Sequence, residues 1–187
     1  MNVLGLDVST SCTGWSILNR DGTLISAGAV SLKKCKTIYE KADTVRSEIE
    51  KLSKEHEITS VYVEENLQAF RPGFSSAKTL MTLARFNGMI CLVCRDIFSF
   101  DPDHINVNVA RKSVGLRVLR ESKCGVSTKE QVLKWVQSDM KNYGLDFSWP
   151  EKILKSGKNK GEKRLDTSCY DIADSYVIAK SGLSLTL

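Results

Sequence analysis

The chain has 187 residues, of which 42% are hydrophobic and 26% are charged, and its formal net charge is +5. A chain of this length is predicted to form a single domain over residues 1–187 that buries a core without disulfide or metal staples. The charge is mildly basic, so by itself it is only weak evidence for a polyanionic partner. The six cysteines have no spacing typical of a disulfide framework.

No secretory or membrane segment is predicted. Asp7 interrupts the N-terminus before an apolar signal region forms. The most apolar long stretch, residues 80–98, contains Arg85, Arg95 and Asp96 and is therefore not predicted to span a membrane. We expect a soluble, intracellular protein.

The first third of the chain is predicted to form an antiparallel meander. Residues 3–6, 14–19 and 23–31 have the β-branched and aliphatic character of strands. Asp21-Gly22 is a strong hairpin signal between the second and the third. A helix over residues 37–56 follows, because apolar residues recur there at three- and four-residue steps.

The remainder alternates strands and helices. A fourth strand at residues 60–64 follows a helix and is therefore predicted to lie parallel to the first strand. Together these elements predict an α/β fold with a five-stranded mixed sheet, three antiparallel strands then parallel ones, flanked by helices. The later predicted elements are a loop at 66–76, a strand at 105–107 and helices at 76–98, 110–114, 128–140 and 168–180.

Four carboxylates stand where metal-dependent chemistry would need them. Asp7 and Glu64 each end an apolar run, and Asp171 and Asp174 lie three residues apart in the last predicted helix. Residues at this spacing share one helix face. If that face covers the strand ends, the four acids converge, and divalent cations would relieve their repulsion. The alternative is that acids near a helix start only cap the helix and interact with its dipole.

A basic, glycine-containing segment precedes the last helix. It is predicted to be a flexible loop at about residues 155–166, and its exposed charges could also be simply solvated. Its basic residues are Lys155, Lys158, Lys160, Lys163 and Arg164, with Glu162 among them.

Three motifs, in order, resemble those of RuvC-type Holliday junction resolvases, with diverged phage and viral members the closer comparison. The segment from Asp7 to Trp15 is similar to the opening strand-end aspartate followed by Thr-Gly and an aromatic residue. Val63-Glu64-Glu65-Asn66 resembles the strand-end glutamate, and Asp171-Ile172-Ala173-Asp174-Ser175 resembles the closing D-x-x-D helix. The match covers about residues 2–181.

The resemblance implies an RNase H-like fold, a homodimer and paired, Mg²⁺-dependent incisions in four-way DNA junctions that leave 5′-phosphate and 3′-hydroxyl ends. It implies that Asp7, Glu64, Asp171 and Asp174 are the catalytic metal ligands, with two Mg²⁺ per site and Mn²⁺ as a substitute. Glu65 remains an alternative to Glu64, because strand boundaries are uncertain by a residue or two.

The resemblance also implies DNA-binding residues beside the site. Basic side chains in the matching region are Arg111, Lys112 and Lys129, which would otherwise belong to an exposed helix face. The basic loop, with Lys158, Lys160, Lys163 and Arg164, is expected to hold the backbone. Leu67 stands where bacterial members carry a junction-stacking phenylalanine, and Phe70 or Phe74 could replace it, or could anchor the loop instead.

The helix at 76–98 is apolar on more than one stripe, which predicts burial on two faces. One face would pack on the sheet and the other on a second copy of the chain, and a two-fold dimer suits a two-fold junction. The alternative is a central helix covered within the monomer.

Other functions remain open at this point. One is an RNase H-like nuclease with another substrate, such as RNA or flap DNA. Another is a junction-binding module without catalysis, although the intact set of acids argues against it. A sugar-kinase or actin-like ATPase half is disfavoured, because the chain is short and lacks a second glycine-rich phosphate motif.

Overall fold

The computed structural model describes residues 2–65 and 76–185. Its main sheet has the strand order β3-β2-β1-β4-β5. The first three strands are antiparallel neighbours, whereas β4 lies parallel to both β1 and β5. This confirms the predicted five-stranded mixed sheet. The strands are β1 Asn2–Val8, β2 Cys12–Asn19, β3 Leu24–Ser31, β4 Ile58–Glu64 and β5 Asp103–Ile105.

Helices cover both faces of this sheet, and a small hairpin precedes the last of them. The two strands of the hairpin pair antiparallel and form a separate two-stranded sheet. The bounds are α1 Ile38–Glu55, α2 Ala77–Phe98, α3 Val107–Ser113, α4 Glu121–Cys124, α5 Thr128–Asn142, β6 Glu151–Ile153, β7 Lys163–Leu165 and α6 Ser168–Leu185.

Helices α1 and α2 pack on one face of the sheet. Helix α1 begins where the Thr37 hydroxyl accepts a hydrogen bond from the Glu40 backbone N–H at 3.1 Å, which satisfies one of the unpaired donors of the first turn. Its buried side chains recur at helical spacing, as predicted, and share an apolar cluster with Leu4, Leu6 and Ile90. This burial is the main stabilising contribution of this face.

Helix α6 packs directly on the opposite face, across β1 and β2. A methyl group on Gly5 would overlap the backbone of α6 at Ser175 and Ala179. The close approach is also polar, because the hydroxyls of Ser16 and Ser175 are hydrogen-bonded at 2.8 Å. The absence of a side chain at Gly5 therefore lets α6 approach the sheet to backbone distance.

Helix α5 contacts α6 on its outer side through a partly buried polar cluster. The Tyr176 hydroxyl donates to Asp139 Oδ2 at 2.7 Å, and Lys180 forms an ion pair with the same carboxylate. The Lys180 ammonium also lies 4.6 Å from the centroid of the Tyr143 ring, a cation–π geometry. These contacts fix how α6 sits along the sheet.

The structure corrects two local predictions. The strand predicted at 105–107 ends at Ile105, because the Asn106 side chain accepts from the Asn108 N–H at 3.0 Å and so starts α3. The predicted loop at 155–166 is only partly a loop, because Lys163–Leu165 forms β7 and pairs with β6. The short helix α4 had no sequence signal strong enough to predict it.

Helix α2 is long and apolar enough to cross a membrane by length and composition alone. Core helices of water-soluble proteins meet the same criterion, and such a match is weak evidence for a span. Here Phe86, Ile90, Val93 and Cys94 are buried in the cluster that α2 shares with α1. Arg46 of α1 also forms a partly exposed ion pair with Asp96 of α2 at 2.9 Å.

Candidate active site

Asp7 and Glu64 come from neighbouring parallel strands and face the same side of the sheet. Leu6 pairs with Val63 in the register, so the next residue on each strand also lies side by side. Side chains alternate along a strand, and Leu6 and Val63 lie in the α1–α2 cluster. Asp7 and Glu64 therefore project toward α6, and a hydrogen bond joins their side chains.

The same alternation separates Glu64 from Glu65. The Glu65 carboxylate instead accepts a hydrogen bond from Asn106 Nδ2 at 3.3 Å. Glu64, which the sequence favours over Glu65 because it directly follows the apolar run, is the one whose side chain lies beside Asp7.

Asp171 and Asp174 reach the same place from the first turns of α6. Gly14 stands opposite Asp7 in the β1–β2 register, and a methyl group on Gly14 would overlap the Asp171 carbonyl. The backbone of α6 thus rests on the strand end beside Asp7. Electrostatic interaction with Asp7 reaches both Asp171 and Asp174. The structure therefore brings the four predicted acids together.

All four carboxyl groups are harder to ionise than usual. Burial raises the pKa of Asp7 well above its ordinary value, and the charges of Glu64, Asp174 and Asp171 raise it further. Burial and the Asp174 charge raise the pKa of Glu64 to about 7. Burial likewise raises the pKa values of Asp171 and Asp174. Buried carboxyl groups that lie close together favour the protonated form. Ionisation of the cluster therefore requires positive charge nearby.

Two basic residues supply part of this positive charge. Arg111 Nη2 lies 3.3 Å from Asp174 Oδ1, and both side chains are largely buried. The charge of Lys129 lowers the pKa values of Glu64, Asp171 and Asp174, against the effect of burial. These are two of the three basic residues that the sequence assigned to the site. The third, Lys112, is exposed and lines a cavity next to Arg111.

The donor set suits a hard divalent cation, since Mg²⁺ prefers carboxylate oxygen ligands. Within residues 2–65 and 76–185, no three His, Cys, Asp or Glu side chains stand in positions that would hold an ion as they are. Asp7 and Glu64 are hydrogen-bonded to each other and Asp174 is paired with Arg111. Ion binding would therefore replace these contacts. The raised pKa values fit such an exchange.

The basic residues of the predicted loop lie on or beside the hairpin that β6 and β7 form. Lys163 and Arg164 are in β7 and pair with Glu151 at 3.6 Å and Glu162 at 3.1 Å. Lys158 and Lys160 lie between the two strands. Phe70 and Phe74, together with Leu67, lie outside the described residues. The prediction for these residues as DNA contacts is not decided by the structure.

Two side chains at the site were not predicted from the sequence. Asn87 of α2 is buried and donates from Nδ2 to the Glu64 carbonyl at 3.1 Å, which fixes the end of β4. Its one sequence signal is a polar residue inside an apolar helix. The Cys12 side chain lines the same cavity as Asp171, and burial raises the pKa of its thiol to about 12. Nothing in the sequence distinguishes Cys12 from a core cysteine.

A mixed five-stranded sheet with this strand order, and with carboxylates from β1, β4 and the last helix gathered at its edge, defines an RNase H-like protein. A solved structure with this fold is T. thermophilus RuvC in complex with Holliday junction substrate, with a TM-score of 0.65 and 12% sequence identity over 100% of this chain and 95% of that one. No family model matches the chain.

Sequence relatives are more specific than the fold. The chain is 30% identical over 135 residues to the crossover junction endodeoxyribonuclease RuvC of Aliarcobacter butzleri (strain RM4018), covering 71% of this chain and 79% of the relative. It is 27% identical to the protein of the same name from Sulfurovum sp. (strain NBC37-1), covering 71% and 76%. The chain belongs to the RuvC family of crossover junction endodeoxyribonucleases.

Proposed function

We propose that this protein is a structure-selective DNA endonuclease that resolves four-way and related branched junctions by paired phosphodiester hydrolysis. The observation that carries the proposal is the convergence of four carboxylates with raised pKa values on one edge of an RNase H-like sheet. Membership of the RuvC family supports the same chemistry, because its curated members are named as crossover junction endodeoxyribonucleases.

Asp7, Glu64, Asp171 and Asp174 would hold the divalent cations, with Mg²⁺ as the natural ion, two per site, and Mn²⁺ as a substitute. Bound there, such ions generate the attacking nucleophile and stabilise the leaving oxygen of a phosphodiester. The four side chains orient the ions, and Asn87 keeps β4 and Glu64 in place through the Glu64 carbonyl. The products would be 5′-phosphate and 3′-hydroxyl ends.

Arg111 and Lys129 would hold the scissile phosphate. Both already act electrostatically on the acidic cluster, so a phosphate at the cluster comes within their field. With cations held by the carboxylates, Arg111 would not be needed to neutralise Asp174 and would be available to the phosphate. Lys112 and the basic hairpin would bind flanking backbone, and most of the binding energy would be electrostatic.

The active unit would be a homodimer formed through α2. The inner face of α2 is buried against α1, whereas an outer stripe is exposed and largely apolar. Met81 and Leu92 are 67% and 58% exposed, with the small residues Ala84 and Gly88 between them. A two-fold contact of this stripe with its copy buries the apolar surface and supplies two active sites for two strands.

The proposed function is tested by cleavage of matched DNA substrates. A four-way junction, a flap, a linear duplex and an RNA–DNA hybrid of the same sequence are incubated with protein without metal, and again after Mg²⁺ or Mn²⁺ is restored. We expect metal-dependent, paired incisions in the junction, with ends that DNA ligase can rejoin. Preferred cutting of the flap or the hybrid would assign another substrate, and binding without cutting would indicate a non-catalytic module.

The dimer is tested by placing a charge on the exposed stripe. Leu92→Glu is expected to yield a monomer at micromolar concentration and to uncouple the two incisions, because a buried unpaired charge opposes association. Tyr39→Glu is the control, since Tyr39 is 64% exposed on α1. Light scattering measures the mass. A wild-type monomer would contradict the paired-incision model.

A further inference from the structure

A large cationic cavity borders the candidate active site. It has a volume of about 670 Å³ and lies between α3, residues 114–120 and the first turn of α5. Basic side chains dominate its polar lining, and none of the described residues that line it carries a carboxylate. The described cations of the cavity are Arg111, Lys112, Arg117 and Arg120.

Arg111 joins this cavity to the acidic cluster. Its guanidinium pairs with Asp174 while its side chain also lines the cavity. A second cavity, of about 440 Å³, reaches the cluster from another direction, because Asp171, Lys129 and Lys33 are among its lining residues. The first turn of α5 separates the two, with Thr128 in the first cavity and Lys129 in the second.

The charges of the first cavity are available to a ligand. Lys112, Arg117 and Arg120 are exposed and form no salt bridge with other residues that the structure describes. Between them the lining is apolar, with Leu116 buried and Val118 half-buried. A concave site that offers several cations and an apolar floor fits a sugar–phosphate segment, since the phosphates meet the cations and the sugar meets the floor.

We propose that this cavity binds backbone phosphates of the substrate strand beyond the cleaved bond, on the Asp174 side. The inference rests on the proposed function and extends it to two residues, Arg117 and Arg120, that neither the sequence motifs nor the acidic cluster include. The strand then runs from the cavity of Lys33 and Lys129, past the carboxylates, into the cationic cavity. The enzyme holds the strand on both sides of the scissile phosphate.

The test compares two double variants that remove equal charge. Arg117→Ala/Arg120→Ala empties the cavity of two cations, and Lys51→Ala/Lys54→Ala removes two exposed cations from α1 on the opposite face of the sheet. Junction binding is measured at several salt concentrations with Ca²⁺ in place of Mg²⁺ to prevent cutting. Each lost phosphate contact reduces the slope of log K against log salt by about one.

We expect the arginine pair to weaken junction binding by roughly tenfold or more and to lower the salt slope by about two, while the lysine pair changes both far less. Arg117→Gln/Arg120→Gln should behave like the alanine pair, and thermal melting should stay at the wild-type temperature for all variants. Equal effects of the arginine and lysine pairs would overturn the inference, as would wild-type binding by the arginine pair.

This result can be separated from the proposed function. If wild-type protein cuts the junction but the arginine pair binds like wild type, the cavity assignment fails and the nuclease stands. If wild-type protein fails to cut any substrate with Mg²⁺ or Mn²⁺, the proposed function itself fails.

Discussion

The two faces of the central sheet differ in what they bury. On the α1–α2 face, aliphatic and aromatic side chains such as Leu6, Ile49 and Ile90 close against each other. On the α6 face, the apolar cluster stops at the strand ends, where the four carboxyl groups with raised pKa values lie. One face stabilises the fold, whereas the other carries the electrostatic cost of four buried carboxyl groups, which is typical of a functional site.

The largest expected effect comes from removing one charge on the α6 face. Asp7→Asn should abolish junction cleavage while junction binding persists, because the cluster loses a cation ligand and the basic contacts remain. The metal-free variant should also be more stable than wild type at pH 8, by about 1–3 kcal/mol. Cleavage assays and urea unfolding measure the two effects.

The control for this change is Asp43→Asn, at an exposed carboxylate on α1. It should leave both cleavage and stability as they are. Retained cutting by Asp7→Asn would falsify the role of Asp7, and an unchanged free energy of unfolding would contradict the repulsion within the cluster.

A smaller effect on stability and cleavage is expected from glycine substitutions, because α6 lies closer to the sheet backbone than α2 does. Gly14→Ala should destabilise the protein by about 1–3 kcal/mol and lower cleavage, because the added methyl group overlaps the Asp171 carbonyl and displaces α6. Gly88→Ala is the matched change in α2, where a methyl group meets nothing within 4 Å.

Gly88→Ala should stabilise α2 by about 0.5–1 kcal/mol through helix propensity. Thermal unfolding of both variants provides the measurement, with sedimentation to follow dimer content, since Gly88 lies on the proposed dimer stripe. Equal tolerance of the two substitutions would mean that α6 does not need its close approach to β2.

A further expected effect is a pH dependence of stability in metal-free protein. Glu64 has a folded-state pKa of about 7, above its ordinary value, so the folded state holds a proton that the unfolded state releases earlier. Its stabilising contribution is present at low pH and is lost as the pH rises toward 7. The melting temperature should therefore fall over this pH range, because the carboxyl groups of the cluster lose their protons.

Added Mg²⁺ should reverse this loss, and more strongly at pH 8 than at pH 6, because ligands must be deprotonated to bind the ion. Asp7→Asn should show a weaker response to both pH and Mg²⁺. A melting temperature that ignores Mg²⁺ at pH 8 would count against the carboxylates as its ligands.

Hydrophobic periodicity was sufficient to predict the apolar strands and helices, but not the short charged elements. The apolar repeat of α1 and the Asp21-Gly22 turn predicted their elements closely. The strand β7 was missed, because Lys163–Leu165 is three exposed residues long with two charges. The start of α3 was also missed, since it depends on a side-chain cap at Asn106.

The residues of the site were likewise predicted only in part from the sequence. Order and spacing of the acidic motifs predicted which acids lie together and favoured Glu64 over Glu65, and the pleat of β4 places Glu64 on the α6 side of the sheet. Asn87, Cys12, Arg117 and Arg120 were not predicted, because their place at or beside the site arises from packing between separate elements.

The sequence by itself determined the order of the five sheet strands and the longer helices and the acidic residue types, because hydrophobic periodicity and strand-end motifs are local properties. Only the tertiary structure decided that α6 lies on Gly5 and Gly14 at backbone distance, and that the cationic cavity opens next to Arg111. The first depends on contacts between residues more than a hundred positions apart. The second depends on how α3, residues 114–120 and the start of α5 pack against one another, and no local pattern encodes either arrangement.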